Sequence, residues 1–225
     1  MMVLPKKKGE INMSEDILRI IAEAVIEGNV KQAAAYAKNA VESGVPAGKI
    51  LNEGLIAGMN EVGDLFKDGD MFVPEVLVSA KAMQSGIDVI SHLLAEEGVE
   101  RKGRILTVTV EGDLHDIGVK LVGMMLEGAG FEVVNIGVDV PAAKIVEKVK
   151  ELNPDVLGMS AMLTTTMAKM KEVIDVLEEE GLLSSTAVMI GGAPTSPMYA
   201  EKIGAIYSED AASAVAVAKK LLNVV

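Results

Sequence analysis

From residue 104 onward, short apolar segments alternate strictly with amphipathic helical segments, and this alternation constrains the fold more than any other feature of the sequence. The first segment, residues 105–110, is a run of apolar and β-branched residues that is typical of a buried parallel strand. Further strands are predicted at residues 131–136, 155–159, 186–190 and 205–207, with helices at 117–127, 141–151, 167–180, 197–203 and 209–222. Strands that alternate with helices favour an open parallel sheet with helices on both faces.

Residues 14–97 show the apolar spacing of amphipathic helices instead. Four helices are predicted: one that begins after an N-cap at Ser14, one over residues 30–42, one that begins at Pro46 and ends at the turn 67–70, and one that begins at Pro74. Four helices with short connections suggest a bundle. The expected fold class is an N-terminal four-helix bundle followed by an α/β domain with a doubly wound, flavodoxin-like (Rossmann-type) sheet of five parallel strands.

The chain is therefore expected to have four parts. Residues 1–13 form a leader that we expect to be disordered, since it carries a basic patch but lacks the apolar stretch of a secretory signal. Residues 14–97 form the helical domain, and residues 104–225 form the sheet domain. The segment between them, residues 98–103, is charged and flanked by glycine, which predicts a hinge linker.

Charge and composition exclude several classes of function. A net charge of −12 repels phosphate backbones, so nucleic-acid binding is not expected. The chain has no cysteine, which excludes disulfides, thiolate-ligated zinc and cysteine-ligated iron–sulfur clusters within it and fits a cytoplasmic protein. No apolar run is long enough to span a membrane. Because only His92 and His115 are present, any imidazole chemistry must use one of them.

Three unusual loops follow predicted strands, at residues 111–118, 160–166 and 191–194. Each has an ordinary explanation by itself, because loop histidines are mostly surface residues, loop serines and threonines usually cap helices, and Gly-Gly pairs usually form tight turns. The carboxyl ends of parallel strands meet at one edge of a sheet, where ligands bind. The occurrence of all three loops at that edge favours a ligand site.

Read together, the loops give the pattern Asp113-Leu114-His115-Asp116-Ile117-Gly118, then 41 residues, Ser160-Ala161-Met162, then 28 residues, and Gly191-Gly192. This pattern resembles the cobalamin-binding signature Asp-x-His-x-x-Gly, Ser-x-Leu, Gly-Gly of the methionine synthase and corrinoid methyl-carrier family. Met162 stands where the family usually has leucine, a change that conserves volume and apolarity. The resemblance extends from about residue 14 to the end of the chain, and it implies that the sheet domain, residues 104–225, is a cobalamin-binding domain.

The resemblance implies a cobalt site at His115. In this family the corrinoid binds with its lower base detached, and a protein histidine replaces that base as the axial ligand of cobalt; neutral imidazole suits such a metal. Asp113 is then expected to hold the other ring nitrogen. Thr166 is similar in position to a family serine that extends this relay. A His–Asp–hydroxyl unit that takes up a proton when ligation is lost would help to stabilise Co(I).

The resemblance also implies two sets of cofactor-binding residues. Around the detached base and its tail, the expected residues beside Asp113 and His115 are Leu114, Asp116, Ile117, Gly118, Ser160, Met162, Leu163, Thr164, Gly191, Gly192 and Ala193. In the family a helical bundle caps the upper face of the corrinoid; Phe66 and Val73 match its two apolar cap positions, and Met71, between them, is expected to join the cap. Such a cap excludes water, and it must move away for transfer to occur. His92 is expected to be an ordinary helix residue.

The function implied is that of a corrinoid protein that carries a methyl group on cobalt, as in the methanol, methylamine and O-demethylase systems of anaerobes. A substrate:corrinoid methyltransferase would load it, and a second methyltransferase would pass the methyl group to tetrahydrofolate or coenzyme M. A corrinoid-reactivating protein is a further expected partner, whereas membrane and nucleic-acid partners are not. Without a substrate-activating barrel, the chain is not expected to catalyse turnover alone.

Three alternatives remain open from the sequence. A B12-dependent regulator or light sensor would pair a similar module with a DNA-binding domain, but residues 1–97 contain no basic recognition helix. A subunit of an adenosylcobalamin mutase would present the upper face of the corrinoid directly to a barrel, which leaves the cap helices without a role. Flavin or nucleotide binding by a flavodoxin-like fold would leave the His115 loop unexplained.

Overall fold

The protein is described by a computed structural model that covers residues 13–97 and 102–224. Its N-terminal part is helical, as predicted. The elements are α1 (Met13–Ile26), α2 (Val30–Glu42), α3 (Ala47–Lys49), a π-helical segment (Ile50–Ile56), α4 (Ala57–Asp68) and α5 (Val73–Glu96). The bounds of α2 agree with the predicted helix 30–42, and the side chain of Asn29 caps it by accepting the Gln32 N–H at 3.2 Å.

Two details of the helical part differ from the prediction. Helix α1 begins at Met13, so Ser14 lies inside the helix rather than capping it. Helix boundaries commonly differ by one or two residues, and this shift lies within that range. The third predicted helix runs through the π-helical segment, which its apolar spacing does not distinguish from an α-helix. The predicted leader up to residue 12 and the hinge residues 98–101 lie outside the described residues.

Helix α1 packs unusually close to the π-helical segment and the start of α4, and two glycines permit this approach. A Cβ atom at Gly58 would lie 2.6 Å from the carbonyl oxygen of Ala22, and one at Gly54 would lie 3.0 Å from Cγ2 of Ile21. Neither position could carry a larger side chain without moving the α1 backbone or its core residues. The glycines therefore bring the helices together over the buried side chains of Ile21 and Val25.

The C-terminal part is an α/β sheet structure that confirms the predicted fold class. Its elements are β1 (Arg104–Thr109), α6 (Ile117–Gly128), β2 (Glu132–Asn135), α7 (Ala142–Leu152), β3 (Val156–Ser160), α8 (Thr164–Glu179), a 3₁₀ turn (Leu182–Ser184), β4 (Ala187–Gly191), α9 (Pro197–Ile203), β5 (Ile206–Tyr207) and α10 (Ala211–Leu221). All pairings are parallel, in the order β2-β1-β3-β4-β5. This is the flavodoxin-like order, with its switch point between β1 and β3.

Helix α8 begins at Thr164, three residues before the predicted start at 167. The prediction placed Thr164–Thr166 in the loop after β3, and three β-branched residues in a row do have a low helix propensity. The structure places Thr166 in the first turn, where its hydroxyl accepts the Leu163 N–H at 3.3 Å. That hydroxyl reaches the N-terminal backbone only in the helical geometry, which offsets the unfavourable propensity.

The two faces of the sheet are covered by different helices. On one face, which we call the α7/α8 face, Leu106 and Val108 pack with the apolar side chains of helices α7 and α8. On the other, the α6/α10 face, Ile105 and Met189 pack with apolar residues of α6 and α10. Because side chains alternate along a strand, Thr107 and Thr109 share the face of Ile105. The alternation of side chains along β1 therefore decides which of its residues lie on each face of the sheet.

The described chain divides into two compact units. One consists of residues up to 61 together with 78–99, and the other consists of residues 62–77 together with 100–225. The second unit thus contains the sheet, the end of α4 and the start of α5, and all the predicted site residues belong to it. The expected cap at 14–97 and hinge at 98–103 stay predictions. None of the described helices combines the length and the apolarity that crossing a membrane requires.

Candidate functional site at the carboxyl edge of the sheet

The loop between β1 and α6 is held in place by hydrogen bonds between its backbone and side chains outside it. Gly112 adopts a φ of +81°, a left-handed conformation that suits glycine, and its N–H donates to Oδ1 of Asp139 at 2.7 Å. The hydroxyl of Thr109, the last residue of β1, donates to the carbonyl oxygen of His115 at 3.0 Å. These contacts fix the loop above the sheet edge and set the position of His115.

Asp113 is the centre of the site and is completely buried. Its Oδ1 lies 2.7 Å from Nδ1 of His115 and accepts the His115 backbone N–H at 3.1 Å. Its Oδ2 accepts the hydroxyl of Thr166 at 2.7 Å and the backbone N–H of Met162 at 2.7 Å. The carboxylate therefore ties the first predicted loop to the second, and the structure brings together the three residues expected to form the relay.

The hydrogen bonds decide the protonation state of Asp113. Burial by itself would raise the pKa of this carboxyl group, but the bonds from Met162, Thr166 and His115 hold the pKa well below its ordinary value. Asp113 is thus an ionised acceptor at neutral pH. It follows that Nδ1 of the neutral imidazole carries the hydrogen and that Nε2 keeps its lone pair.

The ring of His115 is available to a ligand. Its side chain is 56% exposed although its partner Asp113 is fully buried. Apolar side chains surround it on the same loops: Leu114 and Ile117 are each 72% exposed, and Met162 and Leu163 are also exposed. Apolar groups that face water around an oriented imidazole are suited to contact a large, partly apolar ligand. The site can therefore offer one metal-binding nitrogen within an apolar surface.

Beside the histidine, a cleft of about 240 Å³ opens on the α6/α10 face. Six predicted site residues line it, namely Phe66, Gly118, Ser160, Met162, Gly191 and Gly192. The strand register arranges the sheet side of the cleft in two rows. Thr107, Gly158 and Met189 are paired across β1, β3 and β4, and the row nearer the carboxyl edge contains Ser160 and Gly191.

The glycines of this cleft serve two different purposes. A Cβ atom at Gly192, whose φ is +116°, would lie 1.9 Å from the carbonyl oxygen of Ala161, so the loop itself requires glycine there. At Gly118 a Cβ atom would meet nothing within 4 Å, and at Gly158 its nearest neighbours would be at an ordinary 3.6 Å. Internal packing does not require glycine at these two positions. They keep space open above the sheet, as a flat ring and its tail would need.

The remaining predicted residues lie outside the lining of the cleft. They are Asp113, Leu114, His115, Asp116, Ile117, Leu163, Thr164, Thr166, Ala193, Met71 and Val73. The relay and the exposed apolar residues lie on the loops at the sheet edge, as described above. Asp116 forms an ion pair with Lys120 one turn along α6. Met71 precedes α5, and Val73 is its first residue.

Sequence reasoning missed the deeper part of the cleft. Thr107, Gly158 and Met189 were interpreted only as strand residues, and the β5–α10 connection, which contributes Ser208 to Ala211, was not assigned to a site. Two signals were present in the sequence. A threonine within the apolar strand β1 and a glycine within the buried strand β3 are both unfavourable for a core and indicate close approach of a ligand.

Comparisons with known proteins agree with this geometry. Residues 103–216 and residues 17–91 each match a family model described as a B12 binding domain. Dimethylamine corrinoid protein 1 of Methanosarcina acetivorans is 47% identical over 92% of this chain and 98% of its own length.

Two solved structures are also similar. A chain of the methanol:cobalamin methyltransferase complex from Methanosarcina barkeri has a TM-score of 0.83 at 29% identity, covering 97% of this chain and 86% of that one. A cobalamin-binding protein from Desulfitobacterium hafniense has a TM-score of 0.76 at 31% identity, covering 91% of this chain and 98% of that one.

Proposed function

Because the chain belongs to the family of corrinoid proteins with B12-binding domains, we propose that it carries methyl groups between two partner methyltransferases. One partner loads it from a methylated substrate, and the other passes the methyl group to tetrahydrofolate or coenzyme M. The corrinoid cofactor of the family supplies a cobalt centre that accepts and donates the methyl group. The observation that carries the proposal is the oriented His115 imidazole beside the cleft.

His115 is the residue that we propose would hold the cobalt of the corrinoid. Its Nδ1 is occupied by Asp113 at 2.7 Å, which leaves Nε2 as the nitrogen that can bind a metal. The buried carboxylate fixes the tautomer and the orientation of the imidazole ring. Thr166 and the Met162 N–H occupy the second carboxylate oxygen, so Asp113 cannot rotate away from the ring.

The same three residues can hold a proton. Nε2, the ring nitrogen that Asp113 does not occupy, belongs to a side chain that is 56% exposed. The ionised carboxylate of Asp113 lies 2.7 Å from Nδ1 and would stabilise a positive charge on the ring. With a corrinoid bound, a proton held by these residues would accompany loss of the His115 ligand.

The cleft is the proposed site of the detached lower base and its tail. Gly118 and Gly158 leave open space, and Ser160 at the rim offers a hydroxyl. Phe66 also lines the cleft, which supports its proposed role in shielding the cofactor from water. Met71, in the turn between α4 and α5, and Val73, the first residue of α5, are proposed to extend the same apolar cover.

For the methyl donor, we propose a methylamine and, more specifically, dimethylamine. The dimethylamine corrinoid protein is 47% identical to this chain, whereas the corrinoid protein of the methanol complex is 29% identical. The partners would then be a dimethylamine:corrinoid methyltransferase, an acceptor methyltransferase and a corrinoid-reactivating protein. The donor is tested by loading the purified holoprotein with separately supplied methyltransferases. Faster methylation with the methanol enzyme than with the dimethylamine enzyme would contradict this assignment.

The ligand role of His115 is tested by reconstituting the protein with cobalamin and recording the cob(II)alamin electron paramagnetic resonance spectrum. The lower base of the cofactor is labelled with ¹⁵N, so that a nitrogen of the protein and a nitrogen of the base give different splittings. Wild type is expected to show the splitting of one nitrogen from the protein, because the base is detached. His115→Ala should abolish the splitting from protein nitrogen. His92, the other histidine, is exposed on α5 and provides the matched control, since His92→Ala should leave the spectrum unchanged. Persistence of the signal in His115→Ala would refute the assignment.

A further inference from the structure

One buried hydroxyl group in the second unit has no hydrogen-bond partner. Oγ1 of Thr107 is shielded from solvent and makes no hydrogen bond to any residue within 13–97 or 102–224. The other buried serines and threonines all bond to a backbone oxygen or to Asp113; they are Ser79, Thr109, Thr166, Thr186, Thr195 and Ser208. Valine would fill the space of Thr107 without an unpaired polar atom, so the protein retains a hydroxyl that its own fold does not use.

The unpaired hydroxyl lies where the cleft is deepest in the sheet. Thr107 lines the cleft, and it is paired with Gly158 in the row of residues farther from the carboxyl edge. A Cβ atom at Gly158 would lie 3.6 Å from the methyl group of Thr107, so the open space above the glycine adjoins this side chain. A group that fills the space above Gly158 would therefore lie against the Thr107 side chain.

The surroundings of Thr107 make its hydroxyl selective. Its neighbours along the cleft are mostly apolar, with Met189 on the sheet and Leu121 and Val122 on α6. An apolar ring would satisfy those side chains but would leave the hydroxyl unpaired. A ring with a polar substituent satisfies both, since a hydroxyl can donate and accept. Sites that bury a hydrogen-bonding group reject ligands that lack the matching group more strongly than apolar pockets reject an extra methyl group.

We propose that Thr107 selects the lower base of the corrinoid and favours a base that carries a hydrogen-bonding group on its innermost edge. This inference rests on the proposed function, in which the cleft receives the detached base. It predicts that the protein prefers one lower base over another. The cobalt ligand and the phosphate tail could not produce this preference, because they are the same in corrinoids that differ only in the base.

The test pairs two ligands with two side chains. Corrinoids with 5-hydroxybenzimidazole or 5-methylbenzimidazole as the base differ only by a hydroxyl and a methyl group, as threonine and valine do. Dissociation constants are measured by absorbance titration of the apoprotein. Wild type is expected to bind the hydroxyl ligand about tenfold more tightly. Thr107→Val should remove that preference, and Thr107→Ser, which keeps the hydroxyl, should retain it.

Thr186→Val is the matched control. Its hydroxyl is also buried but donates to the carbonyl oxygen of Pro154 at 2.8 Å, away from the cleft. The control should keep the tenfold preference and should melt at a lower temperature than wild type, because a satisfied bond is lost. Thr107→Val should melt at a higher temperature in the apoprotein, because an unpaired hydroxyl is removed.

Equal affinity of wild type for the two ligands, or an unchanged preference in Thr107→Val, would overturn the inference while leaving the corrinoid function intact. Failure of wild type to bind either corrinoid would overturn the proposed function and the inference with it. The comparison of the two ligands on wild type does not depend on the folding of any variant.

Discussion

The two faces of the central sheet are built from the same strands but are filled differently. On the α7/α8 face, the apolar side chains of Leu106, Val108 and Val110 continue to the carboxyl end of β1 and one residue beyond it. On the α6/α10 face, the apolar core ends at Ile105, and Thr107 and Thr109 follow toward the carboxyl edge. Apolar packing on the α7/α8 face therefore continues to the carboxyl edge of the sheet. On the α6/α10 face it stops before that edge, where a ligand must enter.

A single strand can pack the core on one face of the sheet and leave space for a ligand on the other. Leu157 and Gly158 are consecutive residues of β3 and point to opposite faces. Leu157 is completely buried in the core of the α7/α8 face, whereas Gly158 leaves space in the cleft. A mutation at one residue should therefore affect folding, and a mutation at the next should affect binding. The predictions below test this separation, beginning with the largest effect.

Replacing Leu157 with alanine should produce the largest loss of stability. The change leaves a cavity in a close-packed core and should lower the free energy of unfolding by about 2–5 kcal/mol. Urea denaturation of the apoprotein, followed by circular dichroism, measures this loss. Corrinoid affinity of the folded fraction should stay close to that of wild type. A loss below the lower end of the range would show that the α7/α8 face is less tightly packed than its burial indicates.

Asp113→Asn should have an intermediate effect, since it changes the one buried carboxylate that joins the loops. The amide group can accept bonds with its oxygen but presents N–H groups on the other side, where donors already point. One pair of donors loses its acceptor, which should cost about 1–3 kcal/mol. The histidine tautomer is also no longer fixed, so proton uptake on cofactor reduction should change. Identical uptake in the variant and wild type would count against the relay.

The pH dependence of stability follows from the same residue. The pKa of Asp113 is lower in the folded protein than its ordinary value of 3.8, so its ionised form stabilises the fold. This contribution is fully present above the ordinary value and is lost as the pH falls through the lowered pKa of the folded state. Denaturation profiles should show that wild type loses stability in acid more steeply than Asp113→Asn does. Parallel profiles below pH 4 would contradict this account.

Gly158→Ala should have the smallest effect on folding and a clear effect on binding. The new methyl group would contact Cε of Met189 and Cγ2 of Thr107 at 3.6 Å without a clash. The free energy of unfolding should therefore change by less than about 1 kcal/mol, since alanine also restricts the unfolded chain. Corrinoid affinity should fall, because the methyl group occupies cleft volume. Tight binding by this variant, measured by absorbance titration, would show that the base does not enter so far.

Much of the fold could be predicted from the sequence because its signals are local. The predicted strand 155–159 is shifted by one residue from the observed β3, and helices 30–42 and 197–203 agree with the structure. Apolar period, proline and glycine act within a few residues of where they occur. The π-helical segment was missed because its apolar spacing is close to that of an α-helix.

The relay was predicted from spacing and family resemblance, whereas the floor of the cleft was not predicted. Asp113 and Thr166 are 53 residues apart in sequence, and the structure joins them by a 2.7 Å hydrogen bond. Thr107, Gly158 and Met189 come from three strands, and only the register of the sheet makes them neighbours. The threonine in β1 and the glycine in β3 are each unusual in a buried strand, but no local pattern shows that they are neighbours in space.

The sequence by itself determined the alternation of strands and helices, the order of the loops and the chemistry available at His115. The tertiary structure decided which donors reach Asp113, which hydroxyl is left without a partner and which face of the sheet stays open. The physical reason is the distance along the chain over which each interaction acts. Hydrophobic period and backbone preference act between neighbours in the chain, whereas burial and hydrogen-bond pairing depend on residues that meet only after the sheet has formed.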